Sequence, residues 1–157
     1  MKVQPATPDD FENWIELARE VEPLFGLMAD QNPFRSALAR ALSTGQGFCV
    51  RSIDSAFKGE LNGGIIVSAQ YNRIEWFAVT EKCRGKGLGR ALLKHAMDRL
   101  DLNRNIVVQT FASGIVEGEA ARRLYRASGF RDHAPAGPTP AGAETVLMVR
   151  PAHRIGS

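Results

Sequence analysis

The stretch from Arg73 to Met97 constrains this chain more than any other. RIEWFAV reads as a strand, a short turn follows, and RGKGLGRALLKHAM opens a helix with Leu88, Leu92, Leu93, Ala96 and Met97 at helical spacing. Arg84, Gly87 and Gly89 fall where the strand gives way to the helix. A helix N-terminus leaves its first N–H groups without intrahelical partners and carries the positive end of the macrodipole. Glycines there remove the side chains that keep an anion from those N–H groups. Strand, arginine, alternate glycines and helix together describe a cradle for a diphosphate.

Two familiar cradles do not fit. A Walker A loop ends in Gly-Lys-Ser/Thr, whereas Gly89 is followed by Arg90 and Ala91. A dinucleotide fingerprint, G-x-G-x-x-G, meets Arg90 at its last position when counted from Gly85, and Leu92 when counted from Gly87. The following strand-like run, IVVQTF, ends without the acidic residue that such a site places on a ribose.

The rest of the chain narrows the class. Its 157 residues, 44% hydrophobic, suit one globular domain over 1–157. No run approaches the ~18 apolar residues of a membrane span, and MKVQPATPDD lacks a signal-peptide core. Cys49 and Cys83 make neither a disulfide framework nor a metal-ligand spacing. These features point to a cytoplasmic protein without a metal. The net charge is only +3. The local basic group, Arg84, Lys86, Arg90 and Lys94, sits on the turn and its helix, which suits a polyanionic small ligand better than a nucleic acid.

Periodicity predicts a short strand at 3–6, helices at 8–22 and 33–43, strand-like runs GFCVRSI and GGIIVSAQ, the strand 73–79, a helix 87–100, a strand 106–111, a helix 118–127, and strands near 130–133 and 145–150. Residues 134–143, APAGPTPAGA, read as a long mobile hairpin connection.

The turn follows R/Q-x-x-G-x-G/A, and a second pattern, A-R-x-L-Y-x-x-x-G-F, is present as Ala121, Arg122, Leu124, Tyr125, Gly129 and Phe130. With the paired strands at 47–69, these motifs make most of residues 46–133 resemble the GNAT superfamily of acyl-CoA-dependent N-acetyltransferases. The resemblance implies an α/β (α+β) fold. Its sheet is mixed and mostly antiparallel, with splayed central parallel strands and helices on both faces. It also implies acetyl-CoA as cosubstrate, its pyrophosphate on the N–H groups of Arg84, Gly85, Lys86, Gly87, Leu88 and Gly89, with Arg90 nearby. The pantetheine arm would pair with Phe77, Ala78 and Val79, and a backbone N–H there would polarise the thioester carbonyl. Where the family often has an asparagine, seven residues before Tyr125, this chain has Gly118, beside Glu117. Glu117 is the candidate to replace that contact.

Transfer to an amine needs a base and a proton for the departing thiolate. Strand alternation puts Glu75 on the face of Phe77 and Val79, opposite Ile74, Trp76 and Ala78. A carboxylate among apolar neighbours suits a base acting through water. The family match makes Tyr125 the thiolate acid. Trp14 and Trp76 read as core, Cys83 as an incidental thiol, and His95 and His133 as surface residues. Glu20, Glu22 and Asp30 are candidates for attracting a cationic amine, although solvated helix charges are the commoner case. The expected acceptor is a primary amine on a small molecule. A protein or peptide acceptor, or a non-catalytic acyl-CoA-binding module, are the alternatives. A homodimer stays open, and neither a nucleic-acid nor a membrane partner is expected.

Overall fold

The computed structural model describes residues 2–153. In chain order its elements are β1 (Gln4–Pro5), α1 (Phe11–Phe25), α2 (Asn32–Ser43), β2 (Gly47–Arg51), β3 (Leu61–Ser68), β4 (Arg73–Val79), α3 (Leu88–Met97), β5 (Ile106–Phe111), α4 (Glu119–Ala127), β6 (Arg131–Pro138) and β7 (Glu144–Arg150), with short 3-10 turns between some of them. The strands form a seven-stranded sheet in the order β1-β2-β3-β4-β5-β7-β6. Every neighbouring pair is antiparallel except β4 and β5. The expected mixed sheet and element order are both present.

Helices cover both faces. The apolar stripe of α1 (Trp14, Ile15, Leu17, Ala18, Val21) and that of α2 (Leu38, Ala41, Leu42) are buried, and most of these residues join Cys49, Leu61 and Ile66 in one core. On the other face Leu88, Leu92, Leu93 and Ala96 of α3 and Tyr125 of α4 pack with Ile65, Ile74, Ile106 and Met148. α1 runs three residues past its expected end and carries Pro23 in its last turns before Gly26, at φ 99°, stops it. At its start Thr7 N–H donates to the Asp10 carboxylate at 2.8 Å. Arg51 of β2 donates to both oxygens of that carboxylate, fastening the first turn to the sheet.

Two expectations change. β6 continues to Pro138, so the first half of residues 134–143 is strand, closed by a short turn in which Thr139 N–H donates to Ala143 O at 2.7 Å. β6 is the sheet edge. Prolines lacking a donor are tolerated there, and irregularities at 132/134 and 135/137 absorb them. The turn lies against the α1–α2 link, for a Cβ on Gly26 would stand 2.8 Å from Pro140 Cβ.

The second change decides the site. β4 pairs with β3 as Ile66↔Trp76 and then Val67↔Ile74, leaving Glu75 as an extra, unpaired residue. Such a bulge bends the strand and increases its twist. β4 keeps register with β5 only at Arg73↔Val107 and Ile74↔Val108. From the bulge onward the two parallel strands part.

Candidate active site

The loop after β4 presents a row of free donors. A 3-10 turn, Glu81–Cys83, leads to Gly85 at φ 77° and Gly87 at φ 82°, left-handed values that a residue with a side chain adopts only under strain. The first backbone bond into α3 runs from Ala91 N–H to Gly87 O. Among the described residues the N–H groups of Gly85 through Arg90 have no protein partner. Lys86 and Arg90 are exposed beside them. Exposed Arg84 folds back, its Nε donating to Val79 O at 3.3 Å, and so ties the loop to the end of β4. Partnerless N–H groups, a helix dipole and three cations fit a diphosphate. Gly89 has a different reason for being glycine. A Cβ there would lie 3.0 Å from Leu124 Cδ1 and 3.5 Å from Phe77 Cζ, so the missing side chain lets α3 approach α4 and β4.

From this loop the gap between β4 and β5 opens as a cleft of about 200 Å³ lined by Ile74 through Phe77, Val108 through Phe111, and Tyr125. Beyond Ile74 the edge of β4 facing β5 has no ladder, so the backbone groups of Phe77, Ala78 and Val79 that point to that edge, other than the Val79 carbonyl held by Arg84, are available to an extended arm.

Glu75 lines this cleft, but not in the environment that alternation implied. Because the bulge falls on it, Ile74 joins Phe77 and Val79 in the core under α3 and α4, while Trp76 packs toward α1 and α2. The Glu75 side chain is 40% exposed, and its Oε1 lies 3.5 Å from Arg73 Nε. It is a partly solvated carboxylate at the cleft wall rather than a desolvated one. Tyr125 lines the same cleft and is only 3% exposed, edge-on to Phe77 at 6.1 Å between ring centroids. Burial pushes the phenol's pKa upward, so the hydroxyl keeps its proton.

Glu117 also lines the cleft. The adjoining Gly118 is glycine for a packing reason, since a Cβ would stand 2.5 Å from Phe111 Cβ and 2.9 Å from its Cδ2. Phe111 fills the space an asparagine would need and stacks on Phe25, centroids 5.0 Å apart and rings 7° from parallel. Arg122, fully buried, holds this arrangement by donating to Phe111 O at 3.2 Å and to both oxygens of Asp132 at 2.9 Å.

Glu20, Glu22 and Asp30, the acids that could attract a cationic amine, are engaged. Glu22 accepts from Met28 N–H at 2.7 Å and Ala29 N–H at 2.9 Å, and those bonds hold its pKa below the usual carboxylate value. Asp30 takes two bonds from Arg19, and Glu20 accepts from Glu81 N–H. A larger hollow of about 370 Å³ beside Glu16, Glu20, Glu60 and Thr80 is also occupied with internal contacts: Glu16 meets Arg19 and Glu60 meets Lys82. It borders neither β5 nor α4, whereas the smaller cleft borders both. Trp14 is core as expected, and Trp76 is both packed against that core and part of the cleft wall. His133 is exposed, but His95 is half-buried against Phe48, centroids 4.7 Å apart, and is no surface residue. Phe25, Met28, Gln109 and Thr110 are cleft residues that the sequence did not single out. No motif marks them, because folding alone brings the end of α1 over the end of β5.

Among the described residues no helix is long and apolar enough to cross a membrane, and no group of three His, Cys, Asp or Glu side chains is placed to hold a metal.

A family model described as an acetyltransferase (GNAT) domain matches residues 45–132. The chain belongs to the GNAT acetyltransferases, and its class is N-acetyltransferase. Solved structures agree in fold. The NatC complex bound to Gag peptide and CoA superposes with a TM-score of 0.75 at 17% identity, covering 97% of this chain and 98% of that one. The ribosomal-protein-S18-alanine N-acetyltransferase from Escherichia coli gives 0.71 at 19% identity, covering 99% and 96%. NAA60 from Arabidopsis thaliana in complex with acetyl-CoA gives 0.68 at 16% identity, covering 94% and 96%. A search of curated protein sequences finds no match.

Proposed function

We propose that the chain moves the acetyl group of acetyl-CoA directly to a primary amine within a ternary complex. The observation that carries this reading is the parting of β4 from β5 at Glu75, with a loop of free N–H donors at the open end of the gap. Residues 84–90 bind the pyrophosphate, and the free edge of β4 at Phe77–Val79 aligns the pantetheine arm. A β4 N–H draws electron density from the thioester carbonyl. Acetyl-CoA supplies the activated acyl carbon.

Glu75 accepts a proton from the incoming ammonium through water, freeing the nitrogen lone pair. The N–C bond forms, the nitrogen gives its second proton to solvent, the C–S bond breaks, and that bond's electron pair leaves with sulfur. Tyr125 then meets the nascent thiolate. Because burial raises its pKa, the phenol is a weaker acid than an ordinary thiol at ~8.5, so it chiefly donates a hydrogen bond to sulfur while solvent completes protonation. Glu117 steers the arm or the ammonium at the mouth of the cleft.

A second reading of the acceptor, a peptide N-terminus, is favoured by the full-length likeness to proteins described as acting on the S18 alanine or holding a peptide. The test is an initial-velocity study of thiol release with acetyl-CoA and amine both varied, plus mass detection of the acetylated product. Intersecting lines with one thiol per acetylated amine are expected. Parallel lines would refute direct transfer. Tight acetyl-CoA binding with no thiol release for any amine would refute catalysis and leave a binding module.

A further inference from the structure

We infer that the acceptor is a primary amine borne on an apolar group, carrying one positive charge, and not a polycation. The inference rests on the transfer reading above and adds the substrate class.

The outer wall of the cleft, away from the phosphate loop, is Phe25, Met28, Trp76 and Phe111. Phe25 stacks on Phe111, and Trp76 Nε1 points its proton at Met28 Sδ at 3.4 Å, so the polar edge of the indole is already used. Two large apolar residues next in sequence to lining residues are exposed to water: Leu27, 75% exposed, between Phe25 and Met28, and Val116, 81% exposed, next to Glu117. Isolated exposed hydrophobics need no explanation, but these two are chain neighbours of residues that line one cleft. The carboxylates lining that cleft are Glu75 and Glu117. They suffice for a single ammonium. A second or third ammonium would look for acids on α1 and the α1–α2 link, yet Glu20 is bonded to Glu81 N–H, Glu22 to the N–H groups of Met28 and Ala29, and Asp30 to Arg19. Extra charges would instead face hydrocarbon and sulfur, a costly burial. An apolar substituent in the same place gains about 0.8 kcal/mol per buried methylene, roughly fourfold in kcat/KM for each.

The experiment measures kcat/KM for thiol release at saturating acetyl-CoA with ethylamine, propylamine, butylamine and 1,4-diaminobutane, a polyamine, and tetrapeptides starting with leucine or with lysine. Leu27→Lys and Val116→Lys accompany the wild type, both at exposed positions that leave the core intact. The expected result is a rise of roughly fourfold per methylene and a diamine at least about tenfold below butylamine. The leucine peptide should exceed the lysine peptide. Each lysine variant should raise KM for butylamine several-fold and leave KM for acetyl-CoA unchanged. Whether free amines or peptides lead then assigns the source of the apolar amine, and either order upholds the class. A flat alkyl series, or a diamine or polyamine equal to butylamine or better, overturns the inference while leaving acetyl transfer standing. No thiol release with any amine, while calorimetry still records acetyl-CoA binding, overturns the transfer reading and the inference together.

Discussion

Replacing Gly118 by asparagine, the residue the family often carries there, should damage this chain rather than improve it. A Cβ at 118 would sit 2.5 Å from Phe111 Cβ, an atom fixed to the backbone, so side-chain rotation alone cannot relieve the overlap. Phe111 is buried, its ring is stacked on Phe25 at 5.0 Å, and its carbonyl is held by Arg122. Forcing it aside incurs overpacking strain of about 1–3 kcal/mol and forfeits an aromatic pair worth about 0.5–1.5 kcal/mol. The sum, about 1.5–4.5 kcal/mol, corresponds to a fall in Tm on the order of 10 °C for a chain of this size. Urea unfolding followed by the fluorescence of Trp14 and Trp76 reads it directly. Phe111→Ala removes the ring atoms at 2.9 and 3.1 Å but keeps the Cβ at 2.5 Å, and itself costs about 3–5 kcal/mol. In the double variant the Gly118→Asn penalty should shrink without vanishing, because the ring overlap and the stack on Phe25 are already gone while the Cβ contact remains, giving a coupling energy of about 0.5–1.5 kcal/mol. A single Gly118→Asn variant as stable as the wild type, or strictly additive costs, would refute the steric account of this glycine.

Glu75→Gln should lower kcat about 10²-fold near neutral pH, with recovery at high pH where solvent supplies the neutral amine; an unchanged acid limb would place the base elsewhere. Tyr125→Phe should lower turnover without high-pH rescue and without loss of acetyl-CoA affinity, and wild-type turnover would remove Tyr125 from the reaction. Gly87→Val, at φ 82°, should cut acetyl-CoA affinity at least about tenfold, since a left-handed conformation costs a residue with a side chain about 1–2 kcal/mol and the loop must deform; calorimetry with no change would exclude the cradle. For Asp10, burial raises the pKa, but the bonds from Arg51 and from Thr7 N–H outweigh it and lower the pKa below 3.8. Its contribution is therefore present above that value and lost as pH falls through the folded pKa. Asp10→Asn should cost about 1–3 kcal/mol at pH 7 and much less near pH 2 in urea titrations; equal losses at both would show that charge plays no part.

The elements legible in the sequence are those with strong local patterns. β4 and β5 fall on the expected residues 73–79 and 106–111, and α3 begins at the glycine turn. The glycine loop before α3 was legible because backbone conformation and helix polarity are encoded within a few residues. The bulge at Glu75 was not, because it arises from a register change between β3 and β4 that no local alternation records. The length of β6 was hidden for a related reason: its prolines look like loop unless the strand is known to lie at an edge. Glu20, Glu22 and Asp30 could be read only as charges on a helix and its link, since their partners come from folding. Gly118 was visible as a departure from the family pattern, but its cause, Phe111, became clear only with packing.

The central claim is that the free N–H groups of residues 85–90 hold the pyrophosphate of acetyl-CoA. It is tested most directly by amide proton–nitrogen NMR of the labelled chain, titrated with acetyl-CoA and, separately, with acetylated pantetheine that lacks the pyrophosphate. The account predicts large downfield proton shifts for Gly85 through Arg90 with acetyl-CoA, while acetyl-pantetheine moves amides along β4 and leaves the loop nearly still. Saturable acetyl-CoA binding that leaves those loop amides unmoved would contradict it.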